Sequence, residues 1–106
     1  MISIKELIAA YNDLIPEDKK ITYKEFSGRS RERRLVEARF FIAKYLYENV
    51  TFNLEKTGKM INRSHQLVIY ALKSIDELPY LQKPYNKFIK NIKTKYHETH
   101  YTKKNH

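Results

Sequence analysis

Apolar residues recur at helical spacing over most of the chain, most clearly in the stretch 51–78. Val68, Ala71, Leu72, Ile75 and Leu78 fall on one face of a helix. At about 100° per residue, the opposite face carries Gln66, Ile69, Tyr70 and Lys73. Ahead of it, residues 53–61 read as a shorter helix. Asn53 is placed to cap its first turn, and Glu55 lies where the partial positive charge of a helix start favours an acid. Asn62-Arg63-Ser64 interrupts the two, because Asn tolerates the left-handed conformation and Ser64 is suited to cap the second helix. Helix, short polar turn, amphipathic helix is the pattern of a helix-turn-helix, whose second helix commonly enters the DNA major groove. A plain structural hairpin has the same pattern.

The rest of the chain is punctuated just as clearly. Ser3 and Glu6 have the spacing of a capping box, flanked by Ile2 and Leu7 as a hydrophobic staple. With Ile4, Leu7, Ile8 and Tyr11 on one stripe, residues 4–13 are expected to form an amphipathic helix, with Met1 a natural beginning. Pro16 and the charged run after it mark a loop. Thr22 and Glu25 form a second capping box, opening a single turn through Phe26 that Gly28 stops. From Leu35 to Val50 apolar residues nearly encircle the helix, so a scaffold helix over 31–49, roughly 28 Å long, should run through the middle of a bundle. Phe40, Phe41 and Tyr47 are read as core. Pro79 and Pro84 bracket an expected connector, after which Tyr85, Phe88, Ile89, Ile92 and Tyr96 make a last amphipathic helix with its lysines outward. The polar, basic segment 97–106 is expected to be a flexible tail after a folded unit of residues 1–96. His97 and His100 lack a carboxylate or Cys partner, so no metal site is expected there.

Composition sharpens this into an all-α fold. The chain has 106 residues, 42% of them hydrophobic, with two glycines and three prolines. That is one domain with a single core, and too little turn material for a many-stranded sheet. There is no cysteine, hence no disulfide or thiolate metal site. With no membrane-spanning run and no signal peptide, a cytoplasmic, nucleoid-associated protein is expected.

Charge changes the picture most. Twenty-one Lys+Arg against 12 Asp+Glu give a net charge of +9. Such an imbalance favours a polyanion: nucleic acid, an anionic membrane surface or an acidic protein. It is densest at Gly28-Arg29-Ser30-Arg31-Glu32-Arg33-Arg34, where a helix begins. Cations at a helix N-terminus are unfavourable by about 0.3–1 kcal/mol each, so an arginine cluster there asks for an external anion, most naturally phosphate. No phosphate loop of the G-x-x-x-x-G-K-[ST] type and no nucleophile–base pair occurs, so neither an ATPase nor other catalysis is expected.

Taken in order, these pieces resemble the C-terminal DNA-binding domain of DnaA, the bacterial replication initiator, a Trp-repressor-like helix-turn-helix. That domain carries a basic loop, an ARQ-like helix start, an L-P-E-I-G segment, and G-G-R-D-H-T-T-V followed by A-x-x-K-I-E-x-L. The matching pieces are Ser30-Arg31-Glu32-Arg33, Ala38-Arg39-Phe40, Leu54-Glu55-Lys56-Thr57-Gly58, Asn62-Arg63-Ser64-His65-Gln66-Leu67-Val68, and Ala71-Leu72-Lys73-Ser74-Ile75-Asp76-Glu77-Leu78. Spacing from Arg39 to Gly58 matches without a gap, and the match runs from the first helix to about Ile92. The resemblance implies that Arg31 enters the minor groove, that Arg39 contacts backbone phosphate, and that Ser64, His65 and Gln66 read bases in the major groove. The family's Asp is Ser64 here, its Thr-Thr is Gln66-Leu67, and its Gly-Gly turn is one residue shorter at Ile61-Asn62. Gln prefers adenine and a hydroxyl is less selective than an acid, so the preferred site should differ while backbone affinity persists.

The expectation is therefore a compact all-α bundle of about five to six helices with a helix-turn-helix. It would be a sequence-preferring, double-stranded-DNA-binding protein with no ATPase and no cofactor, monomeric or weakly dimeric. Arg29, Arg33, Arg34, Arg39, Lys59 and Arg63 are the expected phosphate contacts. Arg31 is assigned to the minor groove, and Ser64, His65, Gln66, Ile69, Tyr70 and Lys73 to the major-groove face. Such a protein would regulate replication or transcription, for a host or for a phage or mobile element. The alternative is a protein-interaction module on the same fold, touching replication or transcription machinery and binding DNA only nonspecifically. Single-strand binding through the tyrosines is weaker, because most of them fall on apolar stripes.

Overall fold

The computed structural model describes residues 2–96, and several of its helix boundaries follow from a local signal. Helix α1 (Ile4–Asn12) opens on the Ser3/Glu6 capping box, and α2 (Tyr23–Ser27) on the Thr22/Glu25 box, with both reciprocal bonds made in each. Between them a 3-10 turn, Glu17–Lys19, carries the charged loop. The Asn12 side chain closes that loop: its amide donates to the Ile21 carbonyl and its oxygen accepts from the Ile21 N–H, both at 2.9 Å. Helix α3 (Arg33–Leu46) is the scaffold, followed by α4 (Leu54–Met60), α5 (His65–Glu77) and α6 (Pro79–Lys95). The described residues contain no strand, and the all-α bundle is as expected.

Helix α3 owes its central place to its side chains. Leu35, Ala38, Phe41, Ile42, Ala43 and Leu46 are all buried, and α1, α2, α5 and α6 pack around them. Phe41 is the hub of an aromatic cluster. Its ring lies 5.9 Å from Tyr11, 5.4 Å from Tyr85 and 5.8 Å from Phe88, joining α1, α3 and α6. Polar ties hold the periphery. Asp13 accepts from Lys95 at 2.7 Å and Asn91 at 3.0 Å, fastening α1 to α6. Lys44, nearly buried, reaches Glu48 at 2.7 Å and Asp76 at 3.4 Å.

Two expectations about boundaries need correction. The scaffold is shorter than 31–49, because after Leu46 the backbone widens into a π-helical turn, Tyr47–Thr51. Phe52 closes that turn in the left-handed region (φ 53), with its N–H donating to the Tyr47 carbonyl at 3.0 Å. The prolines do not bracket a connector. Pro79 occupies the first position of α6, where a missing N–H costs nothing, and Pro84 lies inside the same helix, forgoing one hydrogen bond near its exposed start. The tail 97–106, with His97 and His100, lies outside the described residues.

Helices α4 and α5 are joined by a tight turn whose hydrogen bonds explain its shape. Asn53 caps α4, its side chain accepting from the Lys56 N–H at 2.8 Å. At the other end Asn62 takes the left-handed conformation (φ 60). The Arg63 N–H then donates to the Gly58 carbonyl at 2.8 Å and the Asn62 N–H to the Lys59 carbonyl at 3.1 Å, which is a Schellman ending. Gly58 is required by proximity. A Cβ there would lie 2.6 Å from the Arg63 carbonyl oxygen and 3.1 Å from the Ser64 carbonyl carbon. Both are backbone atoms that cannot step aside. Gly58→Ala, which at an ordinary helix position stabilises by about 1 kcal/mol, is expected here to destabilise by about 1–3 kcal/mol. Chemical denaturation of the two proteins checks this, and a stabilised variant would refute the close approach.

Candidate nucleic-acid interface

The arginines that look alike in sequence divide into two kinds in space. Arg29, Arg31 and Arg33 are exposed, and none of their guanidinium groups has a hydrogen-bond or ion-pair partner among the described residues. Arg33 opens α3, and its charge is felt by half-buried Glu37, one turn on. The loop before α3 thus presents cations that the protein does not neutralise.

Arg39, Arg63 and Arg34 depart from the surface role expected of them. Arg39 is 3% exposed. Its guanidinium donates to four backbone carbonyls: Phe26 at 2.9 Å, Ser30 at 2.7 Å, Glu25 at 3.0 Å and Gly28 at 3.2 Å. These carbonyls belong to the end of α2 and the loop after it, where a helix leaves its carbonyls unpaired and carries partial negative charge. Arg39 therefore caps α2 and is not placed to meet a phosphate. Arg63, half-buried, reaches the same carbonyls from the α4–α5 turn, donating to Phe26, Ser27, Gly28 and its neighbour Asn62. Arg34 is neutralised by Glu25 at 2.9 Å and Glu32 at 3.1 Å, and also donates to the Lys20 carbonyl. Its hydrogen bond holds the Glu25 carboxyl below the usual carboxylate range.

Like charges also meet in this corner. Burial, and secondarily the charge of Arg63, pull Arg39 below the ordinary arginine range, and burial followed by Arg29 does the same to Arg63. Arg63 thus shares like charge with Arg39 and with Arg29, beside carboxylates already engaged by Arg34.

The start of α5 lies against this corner. Asn62 donates to the Ser27 carbonyl at 3.4 Å, and Arg63 ties the turn to the loop, so the turn sits on the end of α2. Ser64 occupies the N-cap position with extended backbone, yet its side chain makes no capping bond, contrary to expectation. The residue is exposed, so its hydroxyl is left to solvent. His65, Gln66, Ile69 and Lys73 are exposed along the outer face of α5, as the periodicity predicts, and Lys59 is exposed at the end of α4. Tyr70 shares that face at 62% exposure, but its ring packs edge-on against Phe40 at 5.7 Å, so its position is set by α3.

Sequence reasoning missed the acceptors. The carbonyls of residues 25–30 carry no residue-type signal, and Glu25 was visible only as half of a capping box. It also missed Phe52, 70% exposed on a left-handed backbone. Asn-Gly-type turn chemistry would not have flagged a bulky residue there. Among the described residues no His, Cys, Asp and Glu group could hold a metal ion, and no helix is long and apolar enough to cross a membrane. Comparison with protein-family models, with curated proteins and with solved structures finds no match.

Proposed function

We propose that this chain is a non-enzymatic protein that binds double-stranded DNA with a sequence preference, acting as a regulator associated with replication or transcription. The observation that carries the reading is the set of exposed guanidinium groups without a bonded partner at Arg29 and Arg31, on a loop fastened to the turn that starts α5, and at Arg33, the first residue of α3. Arg29, Arg33 and Lys59 would bond phosphate, and Arg31 would probe a minor groove, most negative where A-tracts narrow it. The free Ser64 hydroxyl, His65 and Gln66 would meet base edges in the major groove, with Ile69 beside a thymine methyl. In this reading the succession of α4, turn and α5 works as a helix-turn-helix, similar to that of the DnaA DNA-binding domain. The reading needs no cofactor, and a nucleoid location in the cell accords with it.

With Arg31 counted among them, four cations on the duplex imply a log–log salt slope of roughly −3.6, hence a loss of affinity of about 100-fold between 50 and 200 mM salt. Fluorescence anisotropy with a random-sequence duplex and the matching single strand measures this. Absence of duplex affinity at either salt overturns the reading, and equal affinity for the single strand overturns its double-stranded form.

A second reading rests on exposed apolar side chains. Ile69 at 45% and Phe52 at 70% exposure are suited to a protein partner on the same fold. A stoichiometric partner that covers α5, together with weak, sequence-blind DNA binding, would select it.

A further inference from the structure

We infer that Arg63 is a positioning residue, which sets the distance along DNA between the bases met by α5 and those probed by the arginine loop. The inference rests on the DNA-binding reading above and assigns Arg63 a role other than phosphate contact. Arg63 sits in the turn that delivers α5. Its two terminal nitrogens point inward, with Nη1 bonding the Ser27 carbonyl at 3.4 Å and Asn62 carbonyl at 2.9 Å, and Nη2 bonding Gly28 and, at 3.5 Å, Phe26. Arg39, from the scaffold helix, bonds the Phe26 and Gly28 carbonyls as well. Two forks, one from α3 and one from the α4–α5 turn, thus grip one short stretch of backbone.

The consequence is geometric. Residues 29–32 form no helix, and they leave directly from the gripped carbonyls. Arg31 is therefore tied directly to the turn by Arg63, with Asn62 adding a single long bond to Ser27, while Arg39 holds the neighbouring Ser30 carbonyl to α3. Carbonyls make this anchor directional, since each accepts along its own lone pairs, and a planar fork satisfies several at once. A lysine keeps the charge and loses the fork. If the minor-groove and major-groove contacts are held at one offset, DNA with a base pair added between them forfeits one contact or the other.

The test compares wild type with Arg63→Lys and Arg63→Met, all as the 106-residue chain. Hydrogen exchange of the loop's two bonded amides, Gly28 donating to the Glu25 carbonyl and Glu32 to the Ser30 hydroxyl, is measured without DNA, and each protein is selected on random duplexes. The wild type is expected to select a two-part motif with a single offset. Arg63→Lys is expected to speed loop exchange about tenfold, leave α5 exchange unchanged, and spread the offset over neighbouring base-pair spacings. Arg63→Met should do the same with lower affinity. Unchanged loop exchange in both variants overturns the anchoring, whatever DNA does. Faster exchange with the offset still single overturns the spacing role and leaves DNA binding standing. A wild type that selects no duplex overturns the DNA reading, and the spacing role falls with it.

Discussion

Arg39→Met is expected to lower folding stability by about 3–4 kcal/mol in the absence of any DNA. The substitution keeps most of the side-chain volume and removes four charge-assisted bonds: the Ser30 carbonyl loses its donor outright, while the Glu25 carbonyl keeps the Gly28 N–H and the Phe26 and Gly28 carbonyls keep Arg63. A buried acceptor left without a donor costs about 1–3 kcal/mol, and water recovers part of this at the loop's edge. For a domain of this size the loss corresponds to a fall in Tm of about 15 °C. Arg39→Lys should recover less than half of it, because one ammonium cannot reach four diverging carbonyls. A surface arginine that only met phosphate would behave in the opposite way, costing little without DNA. Thermal unfolding monitored by circular dichroism separates the two, and a Met variant within about 1 kcal/mol of wild type would refute the capping role.

The triple variant Arg29→Ser/Arg31→Ser/Arg33→Ser should do the reverse. Its stability is expected within about 0.5 kcal/mol of wild type, since the three side chains are exposed and unpaired. Removing a cation from the first turn of α3 is even slightly favourable there. Its affinity for duplex DNA at about 0.1 M salt should fall about 500-fold, the loss expected when three released counterions, each counted as roughly 0.9, are no longer gained. The salt slope should flatten by about 2.7 in the same titration. Arg34→Ser is the internal control. It removes the ion pairs with Glu25 and Glu32, so it should weaken folding while leaving affinity within a few-fold. Should Arg34→Ser weaken binding as much as the triple variant, the division of the arginines into outward and inward groups would be wrong.

The helices were legible in the sequence because their signals are local. A capping box at Ser3 and Glu6 needs nothing beyond three residues of spacing, and the Val68–Ala71–Ile75 stripe needs only the helical period. Even the left-handed Asn62 was readable from its residue type. The π-helical turn at Tyr47–Thr51 was not, since nothing in Tyr-Glu-Asn-Val-Thr departs from an ordinary helix end until Phe52 adopts its left-handed backbone. Pro84 misled for a related reason: a proline early in a helix loses one exposed hydrogen bond, and packing of Tyr85 and Phe88 into the core outweighs that.

The candidate site was half legible. Outward arginines follow from the charge cluster and the dipole at the start of α3, and the exposed face of α5 follows from its period. Arg39 and Arg63 could not be told from them, because their acceptors are main-chain oxygens, present at every position and selected only by the path of the chain. The dipole visible in the sequence is that of the helix the arginines begin. What decides Arg39 is the end of a different helix, α2, brought beside it by the fold. Arg34 is similar: its partner Glu25 lies nine residues away across a loop, beyond any periodic rule.

The carbonyl nest between α2 and α3 has a further property. Neither guanidinium groups nor amide oxygens exchange protons in the physiological range, so the grip of Arg39 and Arg63 is indifferent to acidity. The neighbouring Arg34 contacts are not. Glu25 is held below its ordinary range, so its contribution is full above the unfolded value and fades as the pH falls through the folded one. Acid should therefore loosen the flank of this corner before its centre, leaving the α4–α5 turn docked on the end of α2 after the ion pairs that frame it are lost.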